Sequence, residues 1–283
     1  MSESQPYQNP VAQLLNFDAP TNWQDTWIDY AAKFGFTKAD VPELIRLCWD
    51  QDLTDSDSTN CETHAIRAVA QLEPETAIKE YVKLSIAFPD DDYLLEEVNG
   101  ISRQVGGLAI APFKNIIDDS TQHQWVRVTA ANGLEEIGKS YAELRQTCIE
   151  NLIDSLQNYR DINDDVITST LVSNLTELKA VEAADLIGEV FANTEVDELL
   201  TGSWAAVQVE LGLKKESDFS VKELEPKLPD YILNLREQQR QIEKAHKRQL
   251  SLTELIVPAR PVAKGFGSSK SKKKNTKQDG SVN

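Results

Sequence analysis

Between Trp125 and Ala142 the chain reads WVRVTAANGLEEIGKSYA, and this stretch limits the possible folds more than any other. Apolar residues recur at Val126, Ala130, Leu134 and Ile137, at intervals of four, four and three. That spacing keeps one stripe on one face of a 3.6-residue helix. Ala130 and Ala131 are small enough for a neighbouring helix to approach closely. Gly138 follows the last stripe residue, where a left-handed C′ position is least costly without a Cβ. The stretch reads as one amphipathic helix, a break and the start of another.

The same grammar returns along the chain. Val69-x-x-Leu72 is followed five residues later by Ala77, Leu134-x-x-Ile137 by Ala142, and Leu175-x-x-Leu178 by Ala183. In each, the apolar pair ends one helix and the alanine lies near the start of the next. The separations are 65 and 41 residues, and the first is about twice a repeat unit. A degenerate copy fits between, with Val98, Ile101 and Val105, then Gly106 and Gly107, then Leu108 to Ile117. A short further copy runs from Val196 through Leu199 and Leu200 to Trp204–Leu213. Four to five helix pairs in series give an all-α fold, a right-handed α-solenoid.

Composition agrees. Hydrophobic residues make up 40% of the 283, enough for a sizeable core, yet only 7% are aromatic, which suits helix-on-helix packing. The net charge of −17 is unevenly spread. From Pro258 to Asn283 seven basic residues face the single acid Asp279, so that stretch carries +6 and the other 257 residues about −23. A body this acidic repels phosphate backbones, so nucleic-acid binding by the body is not expected. No run approaches the roughly 18–20 apolar residues of a membrane helix. The N-terminus lacks a basic n-region and a long apolar core, so no secretory signal is expected. Cys48, Cys61 and Cys148 are odd in number and widely spaced, reading as buried thiols in a reducing cytoplasm.

In chain order, residues 1–22 read as a flexible polar arm and 23–213 as the solenoid. A first helix over Trp23–Phe34 ends at Gly35. Thr37 and Asp40 have the form of a capping box, with Pro42 in the turn that follows. Leu44, Ile45, Cys48 and Trp49 mark a buried side, and the acidic run 50–60 is a loop. Residues 214–228 read as a linker. A charged helix over 229–250, with Tyr231, Ile232, Leu235 and Ile242 as its apolar positions, is expected to dock by its first half. The basic tail 251–283 has too little apolar content to offset ordering entropy.

VRVTAANGLEEIG (126–138) resembles the first helix of HEAT-like repeats, in the short sub-type named after phycobilisome lyases. Val126, Arg127, Ala130, Ala131, Leu134, Ile137 and Gly138 carry the match, and Leu175 and Leu178 mark a weaker copy. The resemblance covers roughly residues 57–213. With FGFTKADVPELIRL (34–47) ahead and GSWAAVQVELGL (202–213) closing, the chain is similar to bacterial HEAT-repeat proteins, armadillo-like in outline. That resemblance implies a fold and little mechanism. Some such relatives end in a SEC-C zinc motif; GFGSSKSKKK (265–274) lacks its cysteines, so thiolate zinc binding there is excluded.

Catalytic chemistry finds few residues to work with. His64, His123 and His246 stand apart from one another and from cysteine, without metal-ligand spacing. Each reads as a surface or cap residue. No His-Glu dipeptide is present, which argues against the iron hydroxylases built on this fold. Asp161-x-Asn163-x-Asp165 opens like an EF-hand loop, but Val166 and Val172 occupy its glycine and glutamate positions, so it reads as a turn. Acids at Asp90–Asp92 and at Asp118–Asp119 fall at turns, as helix-start charges or as a lure for a basic partner. Arg127 is expected to cap a helix or pair with an acid of the next repeat. Trp125 and Trp204 read as core closure.

No cofactor or metal is expected. The tail lysines Lys264, Lys270, Lys272, Lys273, Lys274 and Lys277 are candidates for an anionic partner, including nucleic acid, for contact with the acidic body, or for solubility alone. The functional expectation is a non-enzymatic, cytoplasmic scaffold that binds another protein through a concave solenoid face. The alternative, implied by the repeat sub-type, is a phycobilin lyase or its helper subunit.

Overall fold

The computed structural model describes residues 6–17, 26–50, 53, 60–162, 164–228, 232–235 and 237–244. The chain divides into two compact units, through Leu228 and from Pro229 onward. Among the described residues every regular element is helical.

The first unit opens with a 3-10 helix at Val11–Asn16, whose Val11 and Leu14 are buried, followed by α1 (Tyr30–Phe34) and α2 (Val41–Cys48). Asp29 starts α1 by accepting the Ala32 N–H, which makes the helix shorter than the apolar pattern suggests. Gly35 ends it in the left-handed region at φ 75°. The Thr37–Asp40 capping box forms, and Pro42 stands in the first turn of α2.

Four helix pairs follow: α3 (Cys61–Leu72) with α4 (Pro74–Ala87), and, after the short α5 (Asp92–Glu96), α6 (Val98–Val105) with α7 (Ile110–Asp118). Next come α8 (Gln124–Ser140) with α9 (Arg145–Gln157), the one-turn α10 (Tyr159–Ile162), and α11 (Asp165–Glu177) with α12 (Ala184–Asn193). The first helices α3, α6, α8 and α11 each touch the next in chain order, and so do α4, α7 and α9. This is an all-α solenoid. It closes with α13 (Glu198–Thr201) and α14 (Trp204–Glu210), on which α15 (Val221–Leu224) packs. Ser203 donates to the Glu223 carbonyl at 2.7 Å, and the Lys227 N–H donates to Glu198 at 2.6 Å. In the second unit residues 232–235 and 237–244 are helical, with Leu235 and Ile242 exposed.

The first helices are buried on more than one face because they have neighbours on both sides. In α8, Val126, Arg127, Ala130, Ala131, Leu134, Ile137 and Gly138 are all buried, as are Leu175 in α11 and Leu178 just after it. Gly138 is not a helix terminus: α8 runs on to Ser140. Its missing Cβ is instead required by contact, since a Cβ there would meet Leu178 Cδ2 at 2.9 Å. The longer helix leaves Ala142 exposed in the turn before α9. Gly133 is tighter still, with the ring of Phe113 and the side chain of Val98 against its Cα.

Neighbouring repeats are cross-linked by charge along one edge. Arg103 pairs with Glu136 at 3.0 Å, Lys139 with Glu135 and, at 3.1 Å, with Glu177, and Lys179 with Glu210. Exposed pairs of this kind contribute little each, about 0–1 kcal/mol, but they fix register. Arg127 makes no ion pair among the described residues. It donates from Nε to the Ile117 carbonyl at 2.9 Å, capping the last turn of α7 inside its own layer. Arg145 plays the same part at the end of α11, donating to the carbonyls of Leu178 and Lys179. Trp204 closes the core end as expected, against Phe191 and over Gly188. Trp125 does not: it is 48% exposed, because it sits one residue, about 100°, off the buried stripe. Leu199 and Leu200 are likewise exposed.

Candidate functional site

A cleft of about 400 Å³ lies on the first helix pair. Five segments build it. The end of α2 supplies Cys48 and Asp50, α3 supplies Glu62, Thr63 and Ile66, and α4 supplies Leu84 and Ala87. The connection Phe88–Asp91 crosses one end, and α5 brings Tyr93 and Leu94, with Glu97 just beyond. Local sequence fixes this shape. Pro89 disfavours helical geometry in the residue before it, so α4 stops at Ala87. Asp91 then caps α5 by accepting the Leu94 N–H at 3.0 Å. The Tyr81 hydroxyl ties α5 down by donating toward the Leu94 and Leu95 carbonyls, at 3.1 and 3.3 Å.

The floor is apolar, from Ile66, Leu84, Phe88 and Leu94, while Tyr93 stands at the mouth with 74% of its surface exposed. The polar lining is acidic, with Asp50, Glu62, Asp90, Asp91 and Glu97, and no lysine, arginine or histidine lines it among the described residues. Among the described residues Asp50, Glu62, Asp90 and Asp91 take part in no ion pair. Asp50 accepts the Tyr7 hydroxyl at 2.6 Å, which holds one wall in place.

Glu97 is different. Both its oxygens are held from beneath by Arg67, one by Nε at 2.7 Å and the other by Nη2, and the two side chains are 3% and 4% exposed. A buried bidentate pair of this kind neutralises the floor. The Arg67 guanidinium also lies 5.3 Å from the Trp27 ring centre. Behind it, Tyr30 and His64 share a hydrogen bond of 2.6 Å, and burial pushes the Tyr30 phenol well above its ordinary range. His64 is therefore a core residue, 2% exposed, and not a surface or cap residue. Its neighbours in α3 are almost all buried, so a polar side chain at that position finds a partner inside. Burial, with the Glu62 carboxylate adding to it, likewise raises the Cys48 thiol, which stays neutral.

A second groove of about 320 Å³ lies on the far side of α5, lined by Asp92, Leu95 and Glu96 and by Trp125, Thr129 and Asn132 of α8. The short helix is thus a wall common to both hollows.

None of the residues marked in the sequence as repeat-defining lines either hollow; they form the layer beneath. Of the residues singled out in the sequence, the Asp90–Asp92 run reaches the site, Asp90 and Asp91 on one side of α5 and Asp92 on the other, and Cys48 and Trp125 line one hollow each. Arg67, Glu97, Glu62 and Tyr93 carried no mark. The available signal was Arg67 itself, a lone charge in the small, apolar run Ala65–Ala70, which must be buried and therefore paired. His123 precedes α8 as its N-cap residue and is exposed. Asp164 caps α11; of the other two acids in that run, Asp161 lies in the one-turn α10 and Asp165 opens α11. His246 and the lysines Lys264, Lys270, Lys272, Lys273, Lys274 and Lys277 lie outside the described residues.

The arrangement can seat a long alkyl stem on the floor and hold a cationic head at the rim. Among the described residues no group of three His, Cys, Asp or Glu is placed to hold a metal ion, and no helix is long and apolar enough to cross a membrane. No curated protein and no solved structure matches the chain. The family described as "Protein of unknown function (DUF1186)" matches residues 43–248, a span that takes in the cleft from α2 onward and every repeat, and the chain belongs to that family.

Proposed function

We propose that this protein is a cytoplasmic, non-enzymatic scaffold of HEAT-like repeats that binds other proteins. Its recognition point is the acid-rimmed cleft, which takes a lysine or arginine side chain from an exposed segment of the partner. One observation carries this reading: an apolar floor surrounded by carboxylates, without a basic side chain in the lining among the described residues.

The physics divides the labour. Each buried CH₂ of a side-chain stem is worth about 0.8 kcal/mol, so the floor supplies most of the attraction. Carboxylates at the rim select the sign of the head group and speed encounter, with a strong salt dependence. Long basic side chains divide in this manner between apolar surface and water. Nucleic acid is repelled by the same charges. A bilin-lyase role gains nothing from the cleft, whose carboxylates would face the bilin's propionates.

The test is fluorescence anisotropy with a labelled ten-residue oligolysine and the full chain. Asp90→Lys should weaken binding at least tenfold. Glu182→Lys, an equal charge change at an exposed position outside the cleft, should leave it within about twofold. Equal effects from the two variants would refute the cleft as the recognition point.

A further inference from the structure

The groove on the far side of α5 carries a different chemistry from the cleft in front. On α8, Trp125, Thr129 and Asn132 follow one another at intervals of four and three, so an indole, a hydroxyl and an amide share one helical face. Asp92 and Glu96 come from successive turns of α5, and Asn99 from α6. Neither carboxylate takes part in an ion pair among the described residues, and no lysine, arginine or histidine lines the groove there. Like charges four residues apart disfavour a helix, so a cation between them stabilises α5. Thr129 is an independent sign of a ligand. It lines the groove at 8% exposure, and its hydroxyl has no hydrogen-bond partner among the described residues. The buried Thr168, Thr170 and Thr176 of α11, by contrast, each donate to the carbonyl four residues back at 2.8 Å.

We propose that this rear groove is a second recognition point, selective for an arginine side chain of a partner protein. The proposal rests on the reading of the protein as a binder of basic segments, but it uses none of the residues of the front cleft. A guanidinium is flat and carries five N–H donors and no acceptor. It can lie over the half-exposed indole of Trp125 while donating to the carboxylates of Asp92 and Glu96. The Thr129 hydroxyl and the Asn99 side-chain oxygen are acceptors for the remaining N–H groups. Asn132 has its side-chain oxygen engaged by Asn174 Nδ2 at 3.2 Å, which leaves its own N–H pair to donate to a main-chain carbonyl of the incoming segment. Lysine fits less well. Its ammonium is a compact, strongly hydrated point charge, and only Leu95 and Val98 offer apolar surface to its stem. Phosphate and other anions are repelled by the same two acids.

The experiment compares labelled ten-residue oligoarginine and oligolysine on the full chain by fluorescence anisotropy. Oligoarginine should bind at least fivefold more tightly. Trp125→Ala, a change at an exposed position, should abolish that preference while leaving oligolysine within about twofold, and Trp125→Phe, which keeps an aromatic plane, should retain at least a twofold preference. Asp92→Asn combined with Glu96→Gln should abolish it as well. A preference that survives Trp125→Ala, or a loss that is equal for the two probes, overturns the proposal. Equal affinity of both probes for the unmodified chain also overturns it and leaves the front cleft intact, because that cleft is judged separately by the effect of Asp90→Lys on oligolysine. Conversely, oligolysine binding that ignores Asp90→Lys removes the front cleft's role, while an arginine preference lost in Trp125→Ala still upholds the rear one.

Discussion

Gly133 is one of the tightest points of the solenoid, and adding a single methyl there tests the packing of three helices together. A Cβ at Gly133 would lie 2.4 Å from Phe113 Cε2, 2.8 Å from Phe113 Cδ2 and 2.9 Å from Val98 Cγ2. Phe113 belongs to α7 and is 1% exposed; Val98 opens α6 and is also buried. Neither can retreat into solvent. Replacing glycine by alanine inside a helix favours folding by about 1 kcal/mol through backbone entropy. Overpacking a filled core costs about 1–3 kcal/mol, and three contacts below 3.0 Å put this position at the upper end. Gly133→Ala should therefore destabilise by about 2 kcal/mol, which for a domain of this size lowers Tm by roughly 4–8 °C. Urea titration followed by circular dichroism at 222 nm measures it, with the slope unchanged and the midpoint lower. Phe113→Leu gives the decisive cross-check. It should destabilise the parent but relieve Gly133→Ala, with a coupling of about 1 kcal/mol in the double variant. If Gly133→Ala matches or exceeds the parent in stability, or the two changes simply add, the described packing of α6, α7 and α8 is wrong.

The remaining predictions concern the core, the buried pair, an exposed cap and the thiols. Leu134→Ala, which empties a fully buried position in α8, should cost about 2–5 kcal/mol in the same titration, and a loss below about 0.5 kcal/mol would contradict its burial. Arg67→Ala strands the Glu97 carboxylate in the interior and should cost about 3–5 kcal/mol, whereas Arg67→Met with Glu97→Leu should recover most of that; equal losses would mean that the pair is not buried. Asp119 is held down to about 2 by the Gln122 and Thr121 side chains and the Thr121 N–H, below the value of about 3.9 in an unfolded chain. Its contribution is complete above pH about 4 and lost as pH falls toward 2, so Asp119→Asn should flatten that part of the acid limb, and an unchanged slope between parent and variant refutes the assignment. Cys48, Cys61 and Cys148 are all buried, and burial pushes the Cys148 thiol up to about 11, so a thiol reagent at pH 8 should label them only on unfolding; rapid labelling of Cys148 in the native protein counts against its placement.

What could be read in the sequence was what depends on neighbours a few residues apart. The stripe Val126–Ile137 announces a helix because the period is local, and so do the Thr37–Asp40 box and the left-handed Gly35. Gly138 shows where such reading stops. A glycine after a stripe has two explanations, a terminus or a close approach, and the choice depends on Leu178, forty residues away. The cleft was illegible for the same reason. Arg67 and Glu97 are 30 residues apart and Tyr30 and His64 are 34, so no window that detects a helix contains either pair. The carboxylates arrive from α2, α3, the turn after α4 and the start of α6, and only the stacking order brings them to one rim. Trp125 was misjudged because a large aromatic beside a buried stripe resembles core, while one step along a helix turns it to the groove.

The five residues from Asp92 to Glu96 separate two hollows, held by the Asp91 cap, the Tyr81 hydroxyl and the buried Leu95. Tyr93 and Leu94 line the front hollow while Asp92, Leu95 and Glu96 line the rear one with Trp125, so successive residues of one short helix belong to two different surfaces.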